Sequence, residues 1–429
     1  MAASEYKLTV GLEIHAELKT ATKMFCGCLN NPDEKVPNTN VCAVCLAHPG
    51  TLPVINREAV HKVLQVGAAL GSRLAHDFSE FDRKNYFYPD IPKGYQISQY
   101  QYPLVQGGEL AGIAITRIHL EEDTARSQHE GDKSLVDYNR AGVPLMELVT
   151  EPVIHDAASA GRFARELQML LRYLGVGEAN MEKGEMRVEA NISVSKDKTL
   201  GTKVEVKNLN SVRSAERAIT YEFNRQVALL EEGGTVVQET RGWDEAKQAT
   251  FSQRKKESSH DYRYFPDPDL PKLLLNEIKT FSADTLKAEL PELPWHKRDR
   301  YKADGVSDEY AEMFVQNVTL GSLYEATSAL VPEAKKLVAN YLGSDITGLI
   351  AKEGDANLSH ITADGFAALM SRVQKGEVSS RGAKDAITEV FMQGGDLKTI
   401  SNKYVQQSDE ETLMTIAQKI LDANPGVVA

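Results

Sequence analysis

Apolar and polar positions alternate near the start of the chain with the period of a β-strand. From Lys7 to Leu18, Leu8, Val10, Leu12, Ile14, Ala16 and Leu18 share one parity; Thr9, Glu13, His15 and Glu17 share the other. Successive strand side chains point to opposite sheet faces, so this segment predicts one apolar and one polar face. The pattern returns at Met186, Val188, Ala190, Ile192 and Val194, with Arg187, Glu189, Asn191 and Ser193 opposite. A shorter copy sets Val204 and Val206 against Lys203, Glu205 and Lys207. Strands of this kind suit an antiparallel sheet with one side open to water or ligand.

Two stretches change to helical spacing. About Asp156 to Leu174, Phe163, Leu167, Leu170, Leu171 and Leu174 are in register, with Gly175 as a stop. From Ser211 to about Glu232 the register is Ala215, Ile219, Phe223, Val227 and Leu230, followed by Gly233 and Gly234. These stripes are expected to cover the apolar side of the sheet. Pro266, Pro268, Pro271, Pro291 and Pro294 punctuate the next segment, and beyond them the pattern is helical throughout. Gly354, Gly376, Gly394 and Gly395 read as stops or turns, and Ser408 to Glu411 as a capping box before Leu413, Ile416, Ile420 and Leu421. The prediction is an α+β fold: an antiparallel-sheet domain over 1–292, a helical domain over 293–355 and a small helical tail domain over 356–429.

With 429 residues, 42% apolar and 26% charged, the composition is that of a globular protein of two or three domains. No apolar run approaches membrane-spanning length, and the N-terminus lacks a basic-then-apolar signal, so a cytoplasmic protein without membrane contact is expected. A net charge of −12 argues against general coating by nucleic acid but leaves room for a local basic groove.

All four cysteines fall within 20 residues, as Cys26-x-Cys28 and Cys42-x-x-Cys45. Two close pairs on two turns can surround one Zn²⁺ with four thiolates, and such a closed site is structural. Small buried apolar side chains or a redox pair are the plainer alternatives. Carboxylates and histidine gather on the polar strand faces. Glu13 and His15 are two apart, hence on one face and roughly 7 Å from each other. Arg187, Glu189 and Asn191 share a face, as do Glu205 and Lys207; Arg117 to Asp123 adds acids at a strand end, and Glu147 and Glu151 flank Leu148 and Val149. Oxygen ligands with an occasional histidine suit Mg²⁺, while a solvated face of cross-strand salt bridges would carry the same residues.

Two runs interleave basic, amide and aromatic side chains, Phe81 to Tyr100 and His260 to Asp269. Arg83, Lys84, Tyr86, Tyr88, Lys93, Tyr95, Tyr262 and Arg263 within them are candidates for stacking on bases and touching phosphates. Each run could equally be a proline-shaped loop with its aromatics in the core. There is no Walker motif, no dinucleotide fingerprint and no nucleophile-elbow serine. With zinc consuming every cysteine, no nucleophile for releasing ammonia from glutamine is evident.

At these residues the sequence resembles the B subunit of aspartyl/glutamyl-tRNA amidotransferases. The matching stretches are Gly11 to His15, the four-cysteine segment, Phe81 to Tyr100, Arg117 to Asp123, Asn139 to Leu145, Val204 to Ser211 and His260 to Pro271, in order over most of the first 270 residues. The resemblance implies a catalytic cradle related to glutamine synthetase, followed by helical and tail domains. It implies that ATP and Mg²⁺ activate the side-chain carboxylate of Glu-tRNA(Gln) or Asp-tRNA(Asn). An amidase-type A subunit supplies ammonia, and a small C subunit clasps the two together. Carried over by position, Glu13, His15, Glu121, Glu122 and Glu147 match the metal and ATP site, with His15, Glu122 and Glu147 as Mg²⁺ ligands. Glu189 stands where the family often has aspartate. Lys207, Arg187 or Arg140 would stabilise charge on a transferred phosphoryl group, an assignment resting on chemistry alone. Adjacent Glu121 and Glu122 point to opposite faces of a regular strand, so both join one site only at a strand end or bulge. The chain ends at Ala429, where family members usually continue with a further helical segment, so a shortened tRNA-engaging tail is expected. The alternative is a zinc-containing tRNA-binding scaffold without chemistry of its own.

Overall fold

The computed structural model describes residues 5–255, 262–406 and 410–423. It divides into two compact units, Met1–Leu293 and Pro294–Ala429. The first is built on one large sheet. Its long strands are β1 (Lys7–Glu17), β2 (Ile113–Glu122), β3 (Pro144–Thr150), β4 (Met186–Ser195), β5 (Val204–Leu209), β6 (Glu239–Asp244) and β7 (Ala249–Lys255). Across the sheet the order is β7-β6-β5-β4-β1-β3-β2, with β1 between β4 and β3. Every neighbour pair among these is antiparallel except β5 and β6, which run parallel. The expectation of a purely antiparallel sheet is corrected there. The chain leaves β5 through a long helix before returning as β6, and a connection of that length permits the parallel crossover.

The alternation in β1 and β4 falls as the sequence predicts. Val10, Leu12, Ile14 and Ala16 are buried, together with Val188, Ala190 and Ile192 of β4 and Val204 and Val206 of β5. Helix α1 covers Arg57–Ala69, α2 Ala157–Tyr173 and α3 Val212–Glu231. Asp156 and Ser211 cap α2 and α3 by accepting from the Ser159 and Ser214 amides. Gly175, at φ +61°, follows α2 in the left-handed conformation that favours glycine. Helix α3 packs on β4 and β5, with α2 beside it.

The stripe expected along α3 holds only in its first half. Ala215, Ala218 and Ile219 are buried, but further along the buried positions are Glu222 and Gln226 rather than Phe223, Val227 and Leu230. The Glu222 carboxylate accepts from Arg225 (2.9 Å), Gln226 (2.9 Å) and Thr250 (3.0 Å), and Arg241 lies 3.6 Å away. Strands β6 and β7 bring these partners from far along the chain, and a paired carboxylate can be buried where an isolated one cannot.

A smaller three-stranded sheet joins Asp82–Asn85 to Tyr95–Ser98 and Phe265–Pro266, so the two basic-aromatic runs meet in space. The second unit is helical, around Tyr301, Phe314 and Tyr324, whose rings lie 5.0–6.2 Å apart. Gly354, Gly376 and Gly394 end its helices at positive φ. Ser408 of the capping box lies outside the described residues, and Leu413, Ile416, Ile420 and Leu421 of the last helix are exposed.

Candidate active site

The polar face of the sheet collects charge from five adjacent strands. Register fixes this, because residues directly opposite across an antiparallel pair share a face. His15 lies opposite both Glu147 of β3 and Arg187 of β4; Glu13 lies opposite Glu189, and Glu147 opposite His119 of β2. The result is one group with His15 at its centre. Its Nε2 is 3.5 Å from Glu147, 3.7 Å from Glu121 and 3.9 Å from Glu13. His119 Nε2 lies 3.3 Å from Glu147 and 3.9 Å from Glu121, and Arg117 reaches within 3.7 Å of Glu147. To one side, Glu13, Glu189 and Glu205 form a second cluster of carboxylates. There Lys207 lies 2.7 Å from Glu189 and 3.9 Å from Glu205.

Crowding sets the electrostatics of this face. Burial pushes the Glu13 carboxyl up to about 7, with Glu147 and Glu189 adding to the effect. Burial alone would lower His15, but the Glu147 hydrogen bond and the surrounding carboxylates outweigh it and push the imidazole up to about 9. Burial likewise works against ionised Glu147, yet His119 and His15 hold its carboxyl well below the usual range. Glu147 is therefore a fixed anion between two imidazoles. The Nδ1 atoms of both histidines are buried and have no hydrogen-bond partner among the described residues.

Glu122 does not join the group, which corrects the expectation that it shares a pocket with Glu147. Strand β2 pairs with β3 without a break from Arg117 to Glu122, so alternation sends Glu121 to the charged face and Glu122 to the other. There Glu122 lies 2.7 Å from Lys93 and accepts from the Ile97 amide at 3.0 Å. It lines a cleft of about 210 Å³ beside Cys26 and Cys45. The alternation that predicted the β1 and β4 faces also contained His119, two residues before Glu121, but without β3's register nothing marked it as a partner of Glu147.

The remaining candidates divide between the acidic group and internal pairs. Lys84 is held well above the usual lysine range: burial opposes its charge, and Glu121, Tyr264 and Glu147 outweigh burial. Its ammonium lies 5.3 Å from the Tyr262 ring, which neighbours Tyr86 at 5.9 Å; Tyr86 in turn neighbours Tyr88 at 6.1 Å. Tyr100 stacks on Tyr264 at 4.5 Å. Arg83 is bound to Asp267 (3.0 Å) and Asp269 (2.9 Å) and lies over the Tyr95 ring. Arg187 pairs with Asp123 at 3.0 Å, while Arg140 lies 3.6 Å from Asp123 and donates to the Thr124 carbonyl. Arg263 is exposed, and its carbonyl accepts from Asn85.

The four cysteine sulfurs converge, all within 4.8 Å of one another. Cys42 and Cys45 are 3.9 Å apart, against about 3.8 Å for neighbouring corners of a tetrahedron of 2.3 Å Zn–S bonds. The donor set fits a tetrathiolate centre.

Comparison with known proteins now decides the family. A family model described as the GatB/GatE catalytic domain matches residues 8–280, and another described as a GatB domain matches 322–429. The chain belongs to the GatB family. Similar proteins are named as the B subunit of aspartyl/glutamyl-tRNA(Asn/Gln) amidotransferase. The one from Moorella thermoacetica is 43% identical, with 99% of this chain and 92% of that protein covered. Those from Crocosphaera subtropica and Persephonella marina are 42% and 41% identical, with 99% of this chain and 90% and 91% of those proteins covered. The GatB/GatE catalytic match lies wholly within the sheet-containing unit, and no described helix is long and apolar enough to cross a membrane.

Proposed function

We propose that this chain is the B subunit of a tRNA-dependent amidotransferase. It serves an ATP- and Mg²⁺-dependent ligase that activates the side-chain carboxylate of glutamate on tRNA(Gln), aspartate on tRNA(Asn), or both. Ammonia delivered by an amidase A subunit then displaces phosphate to leave the amide, and a small C subunit joins A and B. On this reading the sheet is the floor of a cradle related to that of glutamine synthetase.

The observation that carries the proposal is the convergence of Glu13, His15, Glu121 and Glu147 on one face. Their donor atoms lie 3.5–3.9 Å from His15 Nε2. Octahedral Mg²⁺ with ligands at about 2.1 Å wants donor separations of about 3.0–4.2 Å; Glu13, His15 and Glu147, whose ligand atoms lie within 4.8 Å of one another, would hold such an ion directly or through water, with Glu121 beside them. When bound, Mg·ATP supplies the phosphoryl group and positive charge to offset that of two anionic reactants. The protein's own part is positioning. His119 and His15 hold Glu147 as an oriented anion, and Ser98 donates to Glu121 at 3.0 Å. Lys207 presents an ammonium beside Glu189 where charge on a transferred group would be offset. The cysteine quartet would hold Zn²⁺ structurally.

The test is amidation of misacylated tRNA by the complex reconstituted with A and C subunits. Glu147→Gln should abolish ATP-dependent amidation while the chain still folds cooperatively, with a lower melting temperature because His15, His119 and Arg117 lose their anion. Normal turnover in this variant would remove the acidic face from the chemistry and leave the chain as a zinc-containing tRNA-binding scaffold.

A further inference from the structure

Lys23 is fully buried, with 0% of its surface exposed. An ammonium taken out of water costs several kcal/mol unless an anion faces it. Its Nζ donates to the Tyr138 carbonyl at 3.1 Å and lies 4.0 Å from Cys45 Sγ. The nearby carboxylate, Glu122, is engaged by Lys93 and the Ile97 amide. Among the described residues no carboxylate forms an ion pair with Lys23. Among them, no carboxylate oxygen lies within 4.0 Å of the Lys23 ammonium, whereas Cys45 Sγ, which can carry an opposing charge, lies at that distance.

The local backbone is shaped to bring the two together. Lys23 N donates to the Cys28 carbonyl, and Met24 N to the Gly142 carbonyl. Gly142 adopts φ +85°, and a Cβ there would meet Lys23 Cδ at 3.6 Å and Cys45 Cβ at 3.7 Å. A side chain at this turn would strain its backbone, while its Cβ would sit in ordinary contact with both residues.

Four thiolates around a divalent ion carry a net charge of −2, and at Cys45, the buried member of a half-buried quartet, that charge must be offset from within the protein. We infer that Lys23 is the built-in counter-charge of the cysteine centre, a positioning residue whose buried ammonium beside Cys45 governs how tightly the metal is held. The inference rests on the zinc reading given above for the cysteine quartet. It assigns Lys23 no contact with substrate. At a separation of 4.0 Å an opposite charge in a partly dehydrated setting is a strong interaction, so its removal should be felt in metal retention.

The experiment uses the purified full chain loaded with Zn²⁺, following transfer of the metal to a chromogenic chelator. Co²⁺-loaded protein provides the thiolate-to-metal absorption bands as an independent readout. Lys23→Met should lose metal about tenfold faster or more than the parent, whereas Lys23→Arg, which keeps the charge, should fall between them. Equal release rates in Lys23→Met and the parent would overturn the role of Lys23 and leave the zinc reading standing. A parent chain that binds no metal would sink both.

Because Lys23→Met can destabilise the fold on its own, the substitution is also read in a Cys45→Ala background after chelator treatment. There the ammonium has lost its partner, so Lys23→Met/Cys45→Ala should melt above Cys45→Ala alone. A double variant melting at or below the single one would overturn the pairing, since the cycle isolates the interaction from the cost of each change.

Discussion

Two adjacent glutamates with opposite surroundings show how much one position of parity decides. Glu121 faces His15 and His119 at 3.7 and 3.9 Å and is anchored by Ser98, whereas Glu122 faces Lys93 at 2.7 Å on the other side of the strand. Replacing each by glutamine should give opposite phenotypes. Glu121→Gln removes a charge from the proposed ion site but keeps a polar group for Ser98. It should therefore cut amidation by the reconstituted complex about 100-fold with little change in melting temperature. Glu122→Gln strips the largely buried Lys93 of its carboxylate and should destabilise by about 3 kcal/mol, read as a lower urea midpoint with near-normal turnover in the folded fraction. If Glu122→Gln proved the catalytic loss and Glu121→Gln the unstable one, the face assignment would be reversed. The same contrast explains what could be read ahead of the structure. That the two carboxylates part company follows from strand geometry; which of them joins Glu147 needs the register of β2 against β3, which the sequence does not contain.

At the scale of elements, alternation in β1 and β4 marks both faces because those strands are long and regular, and their caps and glycine stops mark α2 and α3 equally well. The sequence misleads in the second half of α3, where Phe223, Val227 and Leu230 continue the apolar register but Glu222 and Gln226 take the buried side. Helix periodicity assumes an apolar neighbour. Here the neighbour is the β6–β7 hairpin, which presents Arg241 and Thr250 to Glu222. Arg83 is illegible for the same reason: its partners Asp267 and Asp269 lie 184 and 186 residues away, so a run that reads as substrate-binding contains a residue engaged within the fold. The Glu222 network yields a prediction proper to the element. Glu222→Ala leaves Arg225 without its carboxylate and a void between α3 and the hairpin. It should cost about 3–5 kcal/mol, measured as a fall in the urea midpoint at unchanged slope. A loss below about 1 kcal/mol would mean that solvent already screens the cluster.

For the whole molecule, the decisive feature is that the cysteine quartet and the acidic face belong to one unit, Met1–Leu293, while Pro294–Ala429 has its own core around Tyr301, Phe314 and Tyr324. Chains with two cores need not unfold in one step. A ligand that binds only the native form of one unit raises that unit's transition by mass action, leaving an independent one alone. Structural zinc is a strong case, because the unfolded chain offers no preformed site and binding free energy becomes folding free energy. Calorimetry of the zinc-loaded chain should therefore resolve two transitions. Treatment with a chelator should lower only the one belonging to the sheet-containing unit, at about 2–4 °C for each kcal/mol lost. Cys42→Ser should reproduce the shift without chelator, which identifies the transition by residue rather than by order of melting. Strand β1 carries Glu13 and His15 and ends at Glu17, shortly before the cysteine loop, so the chelator-sensitive transition should also be the one that Glu122→Gln lowers. A single transition displaced as a whole by metal removal would show instead that the helical unit draws its stability from the first, and the two-unit description would have to yield to one cooperative body.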